Sequence, residues 1–322
     1  MVSLFTRGWR CFRDRPPIPI AIPSFDRPHY LREVLHSLRG QVFERDQIFL
    51  FQDGAINAWS GRTKAATEKI EQCIEVFQGL IPWGTVLASE SNVNIALNYE
   101  RAENHMFKTL GVPYALFLED DLVLSPQYLT VIGSLLDIAI MDSRVAYVSA
   151  YGNMWASQHE QRQRRRELQH MHENWGFAMT RDAWLQERPF RERYLSLLDG
   201  RDYSERDNSR IRAFYEERGW KTKVTSQDAA RWIASVELGK VRITTFACHA
   251  RYIGEYGQHF NPDLYYRCRF DRTFMSDVPA VKPLRPTPDQ IEAWLETERK
   301  RFRGEIGPFY GGHGSSDATS VD

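Results

Sequence analysis

Short apolar segments alternate with helical segments over residues 18–121, and this alternation restricts the fold more than any other feature of the sequence. Four apolar segments have the length of buried strands, at 18–22, 47–52, 85–88 and 114–118. The stretches between them carry apolar residues at helical spacing, at 29–38, 63–78 and 94–110. Strands that alternate with helices of this size predict an α/β fold in which helices flank a mainly parallel sheet.

Polar clusters follow three of these predicted strands. They are DR at 26–27, QD at 52–53 and EDD at 119–121. In open α/β sheets, ligands bind in the crevice beyond the carboxyl ends of the strands. We therefore expect the three clusters to converge on one crevice.

The pattern is less regular after residue 145. Strands are predicted at 145–150, 174–179 and 241–248, and helices at 209–219 and 228–239. A proline-rich stretch at 279–288 leads into a charged helix at 288–302, and 311–322 has the composition of a disordered tail. The predicted organisation is an N-terminal extension (1–17), one catalytic domain (18–278) with a nucleotide-binding half (18–125) and an acceptor half (126–278), a linker and C-terminal helix (279–310), and the tail.

The charge balance excludes a protein that depends on nucleic acid. Acidic and basic residues number 42 each, so the chain lacks the positive field of such proteins. No apolar run approaches the ~18 residues of a membrane span, and the N-terminus does not match a secretory signal. The four cysteines are scattered and form no CxxC pair. We expect a cytoplasmic protein with at most peripheral membrane contact.

The acidic triplet Glu119-Asp120-Asp121 directly follows the apolar segment YALFL. Adjacent carboxylates at the end of a buried strand are unfavourable unless a cation or hydrogen-bond donors compensate them. Mn²⁺ or Mg²⁺ would do so and could also bind the phosphates of a nucleotide sugar. The alternative is an acidic turn that caps a helix starting near Ser125-Pro126.

A series of short motifs resembles a known family. In chain order they are PIAIPSFDR at 19–27, FQDG at 51–54, FLEDD at 117–121 before Ser125-Pro126, VSAY at 148–151, WGF at 175–177, Asp228 before Trp232, and ACHARYIGEYGQ at 247–258. Their order over residues 18–265 resembles the N-acetylglucosaminyltransferase I family and, more broadly, GT-A glycosyltransferases. The resemblance implies a GT-A-like fold that binds a nucleotide-diphospho-sugar.

The resemblance also implies roles for individual residues. Asp121 would hold the metal, while Glu119 and Asp120 would contact the sugar and the ribose of the donor. Arg27 and Asp53 would lie around its uracil and phosphates. The eukaryotic members of the family carry a membrane anchor and a stalk that this sequence does not show, so the donor sugar and the acceptor are not carried over.

By the same resemblance, Asp228 would be the general base of an inverting transfer. An in-line displacement needs a carboxylate opposite the leaving diphosphate. Asp228 also precedes a helical pattern, which makes a helix N-cap an equally open interpretation. The family has two adjacent acids nearer its tryptophan, whereas Ala229 and Ala230 intervene here; the other candidate bases are Glu173, Glu237 and Glu255.

Three weaker signals complete the candidate site. Trp175 could stack on a sugar, and His259 could contact the donor phosphates or serve as a second metal ligand. The segment 159–172 contains four arginines and three histidines. Such a segment is typical of a solvated helix or mobile loop, and the alternative is that it closes over the donor or meets an anionic acceptor.

The predicted function is transfer of a hexose or N-acetylhexosamine from a UDP-sugar to a glycan or lipid-linked glycan, dependent on Mn²⁺ or Mg²⁺. One alternative is a sugar-nucleotide nucleotidyltransferase, but the turn at 23–28 lacks the glycine-rich loop that such enzymes need. A second alternative is a non-catalytic carbohydrate-binding protein on the same fold.

Overall fold

The computed structural model describes residues 17–257 and 261–307. Eight strands of the described chain form one sheet: β1 (Ile20–Ser24), β2 (Ile48–Gln52), β3 (Thr85–Val86), β4 (Tyr114–Leu118), β6 (Val145–Ser149), β7 (Leu168–His170), β8 (Gly176–Thr180) and β9 (Val241–Thr245). Their spatial order is β3-β2-β1-β4-β8-β6-β9-β7. Two further strands, β5 (Leu122–Leu124) and β10 (Ala250–Tyr252), pair with each other as a separate antiparallel ribbon.

Helices flank this sheet, which confirms the predicted α/β class. They are α1 (Pro28–Arg39), α2 (Thr67–Leu80), α3 (Asn94–Asn104), α4 (Tyr128–Met141), α5 (Gln158–Gln163), α6 (Arg181–Ser196), α7 (Asn208–Glu216), α8 (Gln227–Glu237), α9 (Pro262–Arg267) and α10 (Pro288–Phe302). Four of the seven strand pairings in the sheet are parallel, and β8 is antiparallel to both its neighbours.

Apolar side chains cover both faces of the sheet, which explains the continuous apolar runs of its strands. In β4, Leu116 and Leu118 belong to one buried cluster, whereas Ala115 and Phe117 belong to another. Since successive strand residues point to opposite faces, the two clusters lie on the two sides of the sheet. Packing on both faces therefore holds the central strands in place, and these strands position the turns that follow them.

The basic segment predicted at 159–172 forms α5 and the edge strand β7. Two of its four arginines contact a later part of the chain: Arg162 pairs with Asp277, and Arg166 Nε donates to the Lys282 carbonyl. The helix of the first interpretation is present over Gln158–Gln163, and a contact of the segment with the donor or an anionic acceptor stays a prediction. Within the described residues, no helix combines the length and apolar character that crossing a bilayer would need.

Candidate active site

The end of β1 and the end of β4 meet as expected, because these strands are parallel neighbours. Arg27 follows β1, and its guanidinium pairs with Asp120 and, at 2.7 Å, with Asp121. Asp120 and Asp121 are 3% and 2% exposed. The buried acidic turn therefore has an internal counter-cation from the neighbouring strand end.

Arg27 reaches the acids because of where α1 begins. Pro28 takes the first helical position, where its missing N–H costs nothing, and Arg27 is the N-cap residue. The Arg27 side chain makes no capping hydrogen bond. It extends across to β4 instead, and its guanidinium lies 5.6 Å from the centre of the Tyr30 ring.

One oxygen of the acidic turn is left without a partner. Asp121 Oδ1 is buried and accepts no hydrogen bond in the described chain, while Oδ2 faces Arg27. Burial raises the pKa of Asp121 to about 6, although Arg27 acts to lower it. The alternative of a helix-capping turn is wrong, because β5 comes next and α4 begins only at Tyr128, with Gln127 as its N-cap.

The loop after β10 closes over this turn. The backbone N–H of Ile253 donates to the Asp121 carbonyl at 2.9 Å. A Cβ atom at Gly254 would lie 2.4 Å from Asp121 Oδ2 and 2.3 Å from the Tyr252 hydroxyl. Only glycine allows the chain to pass so close to this carboxylate.

These residues fit a divalent cation that takes few ligands from the protein. Among residues 17–257 and 261–307, no three histidine, cysteine, aspartate or glutamate side chains form a group that could hold a metal. The orphaned, buried Asp121 Oδ1 is a suitable hard ligand, and Mg²⁺-type sites usually combine one or two carboxylates with phosphate oxygens and water. His259, the other predicted ligand, lies outside the described residues.

Glu119 connects the acidic turn to the second half of the chain. Its N–H donates to the Trp175 carbonyl at 2.9 Å, continuing the β4–β8 pairing, and its Oε1 accepts from the Tyr99 hydroxyl at 3.1 Å. The pKa of Glu119 is raised well above its ordinary value by burial and then by the charges of Asp121 and Asp228. Asp121 and Asp228 therefore act electrostatically on the same side chain.

Asp228 lies in the first turn of α8, but it is not the N-cap. Ser226 holds that position, and its side chain accepts from the Ala229 N–H at 3.3 Å. Asp228 Oδ1 instead accepts from Asn174 Nδ2 at 3.0 Å and from Gln227 Nε2 at 2.9 Å. Since Asn174 directly precedes Trp175, whose carbonyl accepts from the Glu119 N–H, the β4–β8 pairing brings Asp228 near the acidic turn.

The other candidate bases have different surroundings. The pKa of Glu173 is raised well above its ordinary value by burial and then by the charge of Asp228, so these two carboxyls are neighbours. Glu237 lies at the far end of α8, where it pairs with Arg218. Glu255 belongs to the loop after β10, and its N–H donates to the Ile253 carbonyl at 2.8 Å.

The side chains of Asp53 and Trp175 both make contacts with other residues of the protein. Asp53 accepts hydrogen bonds from the N–H groups of Gly54, Val93 and Asn94 and from the Asn92 amide, at 2.8–3.1 Å. It therefore anchors the loop before α3, while its own N–H donates to the Ser24 carbonyl at the end of β1, at 2.9 Å. Trp175 stacks on Tyr252 with ring centroids 4.2 Å apart, so Tyr252 covers one face of its indole.

Sequence reasoning missed four residues that shape this site, namely Asn174, Gln227, Tyr252 and Gly254. Tyr252 and Gly254 lie inside the motif at 247–258, and Asn174 and Gln227 are immediate neighbours of Trp175 and Asp228. Their proximity to singled-out residues was the only available signal, because their contacts depend on the pairing of distant strands.

No family model and no curated protein matches this chain. Among solved structures, it is similar to a glucosyl-3-phosphoglycerate synthase from Mycobacterium tuberculosis in complex with Mn²⁺, UDP and glucosyl-3-phosphoglycerate, with 10% identity and a TM-score of 0.35 over 58% of this chain and 63% of that one. It is also similar to the WbbM bifunctional glycosyltransferase (11% identity, TM-score 0.32, 56% and 34%). A third similarity is to TarS of S. aureus (14% identity, TM-score 0.30, 44% and 22%). The chain thus spans less than two thirds of each of these proteins, and the functional inference rests on its own residues.

Proposed function

We propose that the protein is a metal-dependent, inverting glycosyltransferase of GT-A-like fold. It would transfer a hexose or N-acetylhexosamine from a UDP-sugar to a glycan or lipid-linked glycan. The observation that carries this proposal is the buried acidic turn, in which Asp121 Oδ1 has no partner in the described chain. A second carboxylate, Asp228, lies near this turn, because it accepts from Asn174 and the next residue, Trp175, pairs with Glu119.

In this proposal the residues of the acidic turn bind the donor. Asp121 ligates Mn²⁺ or Mg²⁺, which when bound would stabilise the charge that develops on the leaving diphosphate. Arg27, already at the turn, offers a guanidinium that suits phosphate oxygens. Glu119 and Asp120 meet the sugar and the ribose.

Asp228 acts as the general base. It takes the proton of the acceptor hydroxyl while that oxygen forms a bond to the anomeric carbon. The bond between the anomeric carbon and the diphosphate oxygen breaks, and its electron pair leaves with UDP. Attack from the face opposite the leaving group inverts the configuration. Glu173, the carboxyl next to Asp228, is the alternative base, and comparing Asp228→Asn with Glu173→Gln separates the two.

Isothermal titration of UDP and GDP, with and without Mn²⁺, tests the central claim. We expect UDP to bind only with Mn²⁺, and Asp121→Asn to weaken that binding by about 10- to 100-fold, the range for losing one interaction with a charged group. Asp137→Asn makes the same change at an exposed position of α4 and is the matched control. Binding indifferent to Mn²⁺ and to Asp121 would refute the metal site and leave the carbohydrate-binding alternative.

A further inference from the structure

Gln227 lies between the proposed base and a buried arginine. It is 7% exposed, its Nε2 donates to Asp228 Oδ1 at 2.9 Å, and its Oε1 accepts from Arg231 Nε at 2.9 Å. A guanidinium can only donate hydrogen bonds, so the oxygen of the Gln227 amide must face Arg231. Its NH₂ group must then face Asp228. Arg231 therefore determines which group Gln227 presents to the carboxylate.

Arg231 is itself held without freedom to turn. It is 2% exposed, and its Nη1 pairs with Glu103, which is fully buried. Its guanidinium carbon lies 4.9 Å from the centre of the Tyr99 ring and 5.5 Å from that of Phe177. An arginine fixed by an ion pair and two aromatic rings provides a rigid donor for Gln227.

Glu103 anchors this arginine to two other helices. Glu103 lies in α3 and also pairs with Arg191 of α6, and it accepts from Trp184 Nε1 at 2.9 Å. The orientation of a side chain in the first turn of α8 thus depends on the packing of three helices. This arrangement stabilises the position of the helix end that carries Asp228.

Asp228 receives both of its donors on one oxygen. Asn174 and Gln227 both donate to Oδ1, whereas Oδ2 accepts no hydrogen bond from the described residues. Of these two donors, Gln227 is the one whose amide is itself held by a further side chain, Arg231. Oδ2 is then the oxygen available to take a proton.

We propose that Gln227 and Arg231 are positioning residues for Asp228. Arg231 orients the Gln227 amide, and Gln227 holds Oδ1 so that Oδ2 is presented to the acceptor hydroxyl. This inference rests on the proposed function with Asp228 as base. Both side chains are buried, and in this proposal each acts through Asp228.

Gln227→Met tests the inference, because methionine has a similar length and neither donates nor accepts as the amide does. The measurements are UDP release from UDP-glucose and UDP-N-acetylglucosamine with Mn²⁺, with water or an added glycan as acceptor, and titration of UDP binding. We expect kcat to fall about 10- to 100-fold while the Kd of UDP changes less than about twofold. Gln72→Met, at an exposed position of α2, is the matched control and should change neither value.

A double-mutant cycle distinguishes positioning from general stability. If Gln227 acts through Asp228, Gln227→Met should cause no further loss in the Asp228→Asn background. An equal loss in both backgrounds, or unchanged kcat in Gln227→Met, would overturn the inference. Gln227→Glu provides a second variant, since it can still accept from Arg231 but loses the donor to Asp228 and should lose activity equally.

Failure of the proposed function gives a different result. In that case the wild-type protein would release no UDP from either donor, whatever the variant. If instead the wild type turns over the donor and Gln227→Met has the same kcat, the proposed function stands and only the positioning role of Gln227 is refuted.

Discussion

At the scale of single residues, Arg27 is the most informative side chain of the site. Its guanidinium lies between Asp120 and Asp121, next to the carboxylate that would hold a divalent cation. A fixed positive charge there repels a second cation, and two unit charges 4 Å apart interact by about 4 kcal/mol at an effective dielectric constant of 20. A bound diphosphate would offset that repulsion. Arg27 should therefore make metal binding depend on the nucleotide.

Arg27→Gln is expected to change two affinities in opposite directions. Without nucleotide, Mn²⁺ should bind at least about tenfold more tightly, because the competing guanidinium is gone. UDP with Mn²⁺ should bind more weakly, because a phosphate partner is lost. Calorimetric titration of Mn²⁺ alone, then of UDP, measures both, with the exposed Arg32→Gln of α1 as control. Unchanged or weaker Mn²⁺ binding would contradict the competition.

His249 should make stability depend on pH. It is 3% exposed, and burial lowers its pKa to about 4. An unfolded histidine has a pKa near 6.5, so the unfolded chain gains protons first as pH falls. The stabilisation is complete above about pH 6.5 and is lost towards pH 4, by about 3 kcal/mol of unfolding free energy.

His249→Asn removes that titration while keeping a polar atom near Ser125, whose Oγ lies 3.4 Å from His249 Nδ1. Urea unfolding between pH 7 and 4 should show a smaller fall in unfolding free energy for this variant than for the wild type. His36→Asn, at an exposed position of α1, should retain the wild-type slope. Parallel pH curves for the wild type and His249→Asn would show that His249 does not titrate in this range.

At the scale of elements, the sequence predicts best the parallel strands β1 to β4 and the helices that connect them. Strands that follow one another through helices have local signals, so the meeting of Arg27 with Asp120 and Asp121 followed from the first half of the sequence. A strand was predicted at 174–179 and is present as β8, but its antiparallel place between β4 and β6 has no local signal, because packing decides that place. The contacts of Asn174 and Gln227 depend on that place and could not be predicted.

Helix α6 and the ribbon of β5 and β10 were not predicted, because the local sequence does not indicate them. Helix α6 contains Pro189, which in a sequence is typical of a helix end. The ribbon of β5 and β10 has strands of three residues each, too short for a periodic pattern. That ribbon matters for the site, because it brings Tyr252 and Gly254 to Asp121.

The C-terminal helix α10 should depend on the buried Glu298 carboxylate, which pairs with Arg242 of β9 and also with Arg301 of α10 itself. Arg242 in β9 donates to Glu298 in α10 at 2.7 Å, and the two side chains are 1% and 2% exposed. Removing one partner of a buried pair leaves an uncompensated charge, so Glu298→Ala should lower the unfolding free energy by about 3–5 kcal/mol. Glu292→Ala, whose side chain is 67% exposed, should cost less than about 1 kcal/mol. A similar effect of both variants in urea unfolding would contradict the role of the pair.

At the scale of the whole molecule, the candidate site is assembled across the predicted division at residue 125. Asp121 belongs to the first part, whereas Asn174, Asp228 and Gly254 come from the second. The two parts share one sheet, since β4 pairs with β8 over five residues from Tyr114–Thr180 to Leu118–Gly176. Separating them would expose the edges of both strands and the apolar clusters beside them.

We therefore expect the described chain to unfold in one cooperative transition, although many proteins of this size populate intermediates. Tryptophans labelled with ¹⁹F report on each part: Trp59 and Trp83 on the first, and Trp184 and Trp220 on the second. Their urea midpoints should coincide, and UDP with Mn²⁺ should raise all four together, because a ligand that binds only the assembled site stabilises every part of the cooperative unit. Earlier loss of the Trp59 and Trp83 signals would instead indicate that residues 18–125 unfold as an independent nucleotide-binding half.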